Sequence, residues 1–254
     1  MYVHEAGPAD AAAIVFLHGG GLSGRMWQPQ FEGLSQYRCI APDLPEQGRS
    51  SGIAPFLLED ATRRVAELIQ ERVASGRAHI VGLSLGGAVG LSLMRDYPAC
   101  VDRLLVSGTA ASLGRVLAAI SRASTITFRL VSTEKLIDAS AKSFGIPPRF
   151  VPMFREDLRV TSNAAFMQHM IAALQALKLP PRATSPTLVV VGERETWTAR
   201  RGARQLIRRV QGARGFQVPN MADLWHLEAP DLFNALVRAW IEDIPLPSGL
   251  QPLR

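Results

Sequence analysis

Lysine and cysteine are scarce in this 254-residue chain, and it contains no long apolar run. Only three of its 28 basic residues are lysines, and the formal net charge is +6. The arginines are scattered and have no interleaved aromatic side chains, so we expect no nucleic-acid partner. No apolar run reaches the ~18 residues of a membrane span, and the first residues do not read as a signal peptide. We therefore expect a cytoplasmic protein that does not bind membranes.

The two cysteines, Cys39 and Cys100, do not have the spacing of a metal site. No cluster of His, Cys and acidic residues has that spacing either, so we predict reduced thiols, no metal and no cofactor. Hydrophobic residues make up 47% of the chain, which suits a globular protein with a sizeable core. We expect a monomer or a homodimer.

The most informative stretch is residues 78–98, whose centre, residues 82–86, reads G-L-S-L-G. The G-x-S-x-G pattern is weak alone, but here a short apolar run precedes it and a helix-like segment follows it. A strand, a sharp turn and a helix are the context of a nucleophile elbow. Gly82 and Gly86 remove side chains where the strand and the helix crowd the turn. The pattern therefore predicts that Ser84 is a nucleophile.

Short apolar segments alternate with amphipathic ones along most of the chain. The predicted strands are residues 3–4, 11–17, 38–41, 80–81, 101–106, 187–192 and 215–219. The predicted helices of this part are residues 56–74, the segment after Ser84, 199–210 and 229–241. The alternation predicts an α/β fold, with a mostly parallel twisted sheet and helices on both faces.

Strand signals vanish between residues 112 and 182. The helices predicted there are residues 113–122, 126–144, 148–158 and 162–177. Ligands of open α/β sheets bind beyond the carboxyl ends of the strands, so we predict that this insertion is a cap over Ser84. Residues 1–111 and 183–244 then form the core, and the Pro-rich tail, 245–254, is predicted to be frayed.

Four further motifs lie on either side of the elbow along the chain. They are His18-Gly19-Gly20-Gly21 with Trp27 downstream, Pro42-Asp43-Leu44-Pro45 with Gly48-Arg49-Ser50, Gly192-Glu193-Arg194-Glu195, and Leu227-Glu228-Ala229-Pro230. Over residues 2–243 the chain resembles the α/β-hydrolase superfamily, in its capped single-domain form. The resemblance implies acyl transfer to water by a serine, an acid and a histidine in that chain order. The backbone N–H groups of Gly20 and Leu85 are then expected to form the oxyanion hole.

The acid and the base are not equally easy to place. The resemblance implies that the acid is Glu195, three residues after Gly192, with Glu193 as the second candidate. It also implies a histidine at the position that Asp223 occupies. The nearest histidine, His226, lies three residues further on, which is about 5 Å if the segment is helical and about 10 Å if it is extended.

Three interpretations of this departure stay open. In the preferred one, His226 acts as the base through a rearranged loop. In the second, Asp223 is the base, because burial and the neighbouring Glu195 raise its pKa. In the third, the triad is broken and Ser84 is a relic, since loss of the base of a Ser-His unit costs on the order of a million-fold in turnover.

The cap is rich in Phe and Met, and ligand pockets are largely apolar. We therefore predict an apolar small-molecule substrate that is contacted by Trp27, Met167 and Met170. The predicted function is a serine hydrolase that cleaves a carboxylic ester of this substrate through an acyl-enzyme. The alternatives are a hydrolase-like protein that binds a small apolar ligand without turnover, and a carbon–carbon lyase or acyltransferase on the same scaffold.

Overall fold

An eight-stranded, mostly parallel sheet forms the centre of the protein in a computed structural model, which describes residues 1–109, 111, 131–144 and 146–253. The strands are β1 (Val3–Ala6), β2 (Ala13–Leu17), β3 (Arg38–Pro42), β4 (Ala78–Leu83), β5 (Val101–Ser107), β6 (Thr187–Gly192), β7 (Arg214–Val218) and β8 (Gln251–Pro252). Their order is β1-β3-β2-β4-β5-β6-β7-β8, and only the pairings of β1 and β8 are antiparallel. The predicted α/β class is confirmed.

Three strands of the sheet, β2, β4 and β6, are buried along their whole length. Their sequences are nearly unbroken apolar runs, because helices cover both faces of a parallel sheet and leave no side for polar residues. These runs were the signals that predicted the strands. The carboxyl end of β4 passes directly into the turn at Ser84, so the sheet positions the elbow.

Helices connect the strands. They are α1 (Gln28–Gly33), α2 (Leu58–Arg72), α3 (Leu85–Asp96), α4 (Thr133–Ser143), α5 (Val151–Thr161), α6 (Ala164–Ala176), α7 (Trp197–Arg209), α8 (Trp225–Glu228) and α9 (Pro230–Ile241). In the described part of the chain, no helix is long and apolar enough to cross a membrane.

Helices α4, α5 and α6 follow β5 and precede β6, where the cap was predicted. The predicted helix at 113–122 and the first residues of the one at 126–144 lie outside the described residues. The domain boundaries at 112 and 182 therefore stay predictions. Cys39 and Cys100 are both buried, unpaired thiols.

The tail does not fray as predicted. Residues 251–252 pair antiparallel with β7, and the N–H of Leu253 donates to the carbonyl oxygen of Gly215 at 2.9 Å. Leu253 also packs against the core, so burial of an apolar side chain holds the segment in place. The returning segment covers the otherwise free edge of β7.

Candidate active site

Ser84 lies in a strained turn between β4 and α3, with φ of 49° and ψ of −109°. A non-glycine residue with positive φ is uncommon, and such strain clusters at functional sites. A Cβ at Gly86 would lie 2.1 Å from the carbonyl oxygen of Leu17, so no side chain fits there. A Cβ at Gly82 would lie 2.6 Å from the carbonyl oxygen of Gly86. The two glycines therefore permit the tight turn that the G-x-S-x-G pattern predicted.

The loop after β2 supplies the first half of the predicted oxyanion hole. Within the described part of the chain, the N–H groups of Gly20 and Leu85 form no hydrogen bond. The neighbouring N–H of Gly21 is already used, because it donates to Gln47 Oε1 at 2.8 Å. Gly20 and Leu85 thus offer the two free donors that a developing oxyanion needs.

His18 fixes the shape of this loop. Its Nε2 accepts from the N–H of Leu44 at 2.9 Å, so the proton of the neutral ring is on Nδ1. Nδ1 then donates to the carbonyl oxygen of Gly19 at 2.9 Å. Burial lowers the pKa of His18, which keeps the ring neutral and the two bonds intact. His18 is a structural residue, and its ring nitrogens are not available to Ser84.

Ser84, Gly20 and Leu85 line a cavity of about 200 Å³ between the core and the cap. Its cap side is formed by Phe144, Phe154, Leu158, Met170 and Leu174. Asp223 is the one ionisable side chain that the structure describes on its wall. The cavity is therefore largely apolar, and the carboxyl group of Asp223 and the hydroxyl of Ser84 line it together.

Asp223 and Glu195 face the same point behind the cavity. Asp223 Oδ1 and Glu195 Oε2 lie 2.5 and 3.4 Å from the position that a Cβ on Gly108 would take. Glu195 Oε1 accepts from the N–H of Gly192 at 2.7 Å, which holds the acid in place. The structure thus brings together the two carboxyl groups that the sequence analysis named.

The two carboxyl groups titrate unusually. Burial raises the pKa of Asp223 to about 6. Burial and the charge of Asp223 raise the pKa of Glu195 to about 8. Near neutral pH the two carboxyl groups therefore share about one negative charge.

The preferred base, His226, is not brought to Ser84. His226 lies in α8, and its ring is fully buried. The ring centroid lies 4.7 Å from that of Trp27 and 5.8 Å from that of Phe233. Neither ring nitrogen has a hydrogen-bond partner in the described residues, and burial lowers the pKa of His226 to about 3. The side chain of Gln30 donates a hydrogen bond from Nε2 to the backbone carbonyl oxygen of His226, at 2.9 Å, which holds α8 in place. Aromatic packing has thus turned His226 into the core, and Asp223 takes the place on the cavity wall.

Two of the three predicted substrate contacts also need correction. Trp27 is fully buried against Phe16 and His226 and does not line the cavity. Met167 does not line it either. Met170 does, and its Sδ lies 2.4 Å from the position that a Cβ on Gly20 would take.

The cap is fastened to the oxyanion loop by side chains that the sequence analysis missed. Asp157 of α5, which is buried, accepts from Ser23 Oγ at 2.7 Å and from Arg25 Nη2 at 2.5 Å. Thr161 Oγ1 donates to the carbonyl oxygen of Gly21 at 3.1 Å. A lone Asp in an amphipathic helix has no sequence signal that separates it from a solvent-facing residue.

A second contact joins the cap to the loop after β3. His169 Nδ1 lies 2.9 Å from Glu46 Oε2, which also accepts from the N–H of Phe56 at 2.7 Å. Glu46 has φ of 66°, in the left-handed region that favours glycine. The contacts of the Glu46 carboxylate with His169 and with the N–H of Phe56 hold this unfavourable backbone conformation.

We predict that Asp157→Ala lowers the free energy of unfolding by about 1–3 kcal/mol, because it leaves the buried hydroxyl of Ser23 without its acceptor. Urea denaturation measures this change. Glu156→Ala is the matched control, since Glu156 also pairs with Arg25 but is exposed, and it should leave the urea midpoint unchanged. Equal effects of the two substitutions would contradict a role for burial.

Comparison with known proteins places this geometry in a family. A sequence model of the alpha/beta hydrolase family matches residues 14–236, which span the elbow, the described cap helices and both carboxylates. The chain belongs to the alpha/beta hydrolase family. An AB hydrolase superfamily protein of Gibberella zeae is 28% identical over 246 residues, covering 94% of this chain and 83% of the relative.

Solved structures of alpha/beta hydrolases show the same fold. The enol-lactonase of Burkholderia xenovorans LB400 superposes with a TM-score of 0.80 at 24% identity, covering 95% of this chain and 96% of that one. An esterase of Thermogutta terrifontis gives a TM-score of 0.80 at 22% identity, covering 95% and 93%. In this member of the alpha/beta hydrolase family, the cavity combines an elbow serine with an aspartate.

Proposed function

We propose that this alpha/beta hydrolase cleaves carboxylic esters of small apolar acids or alcohols through an acyl-enzyme on Ser84. The observation that carries the proposal is the position of the strained Ser84 on an apolar cavity, beside the free N–H groups of Gly20 and Leu85. A nucleophile and an oxyanion hole in one closed space are the requirements of acyl transfer. The enol-lactonase and the esterase that share the fold act on substrates of this chemical class by name.

Asp223 takes the role of the base. It accepts the proton of the Ser84 hydroxyl as the oxygen attacks the ester carbonyl, and it returns that proton to the departing alcohol. Water then attacks the acyl-enzyme while Asp223 accepts its proton, and Asp223 passes that proton to the Ser84 oxygen as the carboxylic acid leaves. A pKa of about 6 makes Asp223 a stronger base than an ordinary carboxylate, yet it is still ionised at neutral pH.

The cavity wall sets the substrate class. The side chains of Phe154, Leu158 and Leu174 offer no polar group to a sugar or a phosphate. The charge of Asp223 repels an acyl group that carries its own carboxylate. Short neutral acyl chains therefore fit best.

The esterase activity should rise with pH through about pH 6, because the base acts only in its ionised form. Initial rates with para-nitrophenyl butyrate, read as kcat/KM between pH 4.5 and 8, measure the profile. Asp223→Asn should abolish this rise, since it removes the titrating group and keeps the shape. A wild-type profile that is flat across this range would contradict the assignment of the base.

Mass spectrometry of the protein after mixing with para-nitrophenyl acetate or butyrate tests the proposal directly. A weak base slows attack by water, so we expect a burst of nitrophenolate and an acyl adduct on the peptide that contains Ser84. Nitrophenolate release without an adduct on that peptide would overturn the acyl-enzyme.

Binding without turnover is the second candidate. It is favoured by one observation: within the described residues, no imidazole lines the cavity. In that case the ester would bind, as measured by titration calorimetry with para-nitrophenyl butyrate, and neither a burst nor an adduct would appear.

A further inference from the structure

The cavity holds two elements of catalysis that do not depend on Ser84. Asp223 is the one ionisable side chain that the structure describes on the cavity wall, and Gly20 and Leu85, whose N–H groups have no partner in the described part of the chain, line the same space. A base and an oxyanion hole suffice for removal of a proton from the carbon next to a carbonyl group. That reaction needs no nucleophile and no imidazole.

We propose that this cavity also catalyses proton transfer at the α-carbon of small apolar ketones, with Asp223 as the base and the N–H groups of Gly20 and Leu85 as the oxyanion hole. The inference uses the same cavity as the proposed ester hydrolysis. It does not require the acyl-enzyme.

The reaction balances without a co-reactant. The Asp223 carboxylate takes a proton from the α-carbon, and the electron pair of the C–H bond becomes the C=C bond of an enolate. The carbonyl π electrons move to oxygen, where the two N–H groups stabilise the charge. Protonated Asp223 then returns the proton to the α-carbon, or to the γ-carbon of a β,γ-unsaturated ketone, which gives the conjugated isomer.

The arrangement matches what this chemistry requires elsewhere. Ketosteroid isomerases use an aspartate base with an oxyanion hole in an apolar site. Here Leu22, Phe154 and Leu174 give the space beside Asp223 an apolar wall. Glu195 lies behind Asp223 on the side of Gly108, so Asp223 meets the substrate alone.

The test is the conversion of 3-cyclohexenone to 2-cyclohexenone, followed by the absorbance of the conjugated product. A second readout, followed by NMR, is uptake of deuterium at the α-carbon of cyclohexanone in D₂O, which occurs when protonated Asp223 exchanges its proton with the solvent before returning it. We expect Asp223→Asn to lose about 100-fold of the enzymatic rate of both reactions.

Asp231→Asn is the matched control, since it makes the same chemical change at an exposed aspartate and should leave the rate unaltered. Formate added to Asp223→Ala should restore part of the rate by supplying a carboxylate to the vacated space. A wild-type rate equal to that of Asp223→Asn would overturn the proposal, as would a loss with Asp231→Asn as large as that with Asp223→Asn.

The two proposals fail in different ways. Enone conversion with no acyl adduct on Ser84 would support the proton-transfer activity and contradict the esterase. An adduct with no enone conversion and no deuterium uptake would do the reverse.

Discussion

Asp223→His is expected to raise kcat/KM for para-nitrophenyl butyrate by at least ~1000-fold. Loss of the base from a Ser-His unit costs on the order of a million-fold in turnover, and this substitution supplies an imidazole at the family's position for it. Glu195 already lies beside that position. Removal of the Asp223 charge also lowers the pKa of Glu195, because that charge is one of the causes that raise it. An ionised Glu195 would then orient and stabilise the imidazolium.

Steady-state rates at pH 8 measure the gain, where the imidazole is neutral. Asp223→Asn is the control for shape and for loss of charge, and it should be slower than the wild type. The double variant Asp223→His, Ser84→Ala should lose the gain entirely. If the activity of Asp223→His equals that of the wild type, residue 223 does not supply the base in this protein.

Local patterns were enough to predict the sheet and the elbow. The strands β2, β4 and β6 are apolar runs because both of their faces are buried, and such runs are visible in the sequence. Ser84 and its flanking glycines were equally visible, because all three lie within five consecutive residues. The turn depends on the missing side chains of the two glycines. The resemblance to α/β-hydrolases implied Glu195 as the acid, and the structure sets it beside Asp223.

Predictions that depended on how a side chain packs against distant residues were less successful. His226 lies three residues from Asp223, but contacts with Trp27 and Phe233 decide which way its ring points. No pattern in residues 220–229 reveals these contacts. A catalytic role and a core role use the same residue type, and only the packing of the aromatic neighbours separates them.

The polar contacts between the cap and the core were also not predictable from the sequence. Asp157 reaches Ser23 across 134 positions of sequence, and in sequence it resembles any acidic residue on a helix face. The cavity is closed by such long-range bonds to the loop that carries Gly20. The sequence therefore predicted that a cap exists, and the structure shows where it is fastened.

Ser84→Ala is expected to lower kcat/KM for para-nitrophenyl butyrate by at least ~1000-fold and to abolish the acyl adduct. The substitution removes the nucleophilic oxygen and leaves the cavity wall and both N–H donors. It also leaves the backbone strain, because alanine at φ of 49° and ψ of −109° is as unfavourable as serine. Ser84→Ala should therefore be inactive and as stable as the wild type in urea.

Ser84→Gly separates the chemistry from the strain. Glycine adopts positive φ without the steric cost of a Cβ, and strained positions of this kind cost about 1–3 kcal/mol. Part of this gain is lost because glycine makes the unfolded chain more flexible, so we expect the free energy of unfolding to rise by about 1 kcal/mol. A stabilised and inactive Ser84→Gly, beside an inactive Ser84→Ala of wild-type stability, would show that the fold holds Ser84 in strain for its nucleophilic role. Equal stability of the two variants would contradict the strain and leave the loss of the oxygen as the only effect.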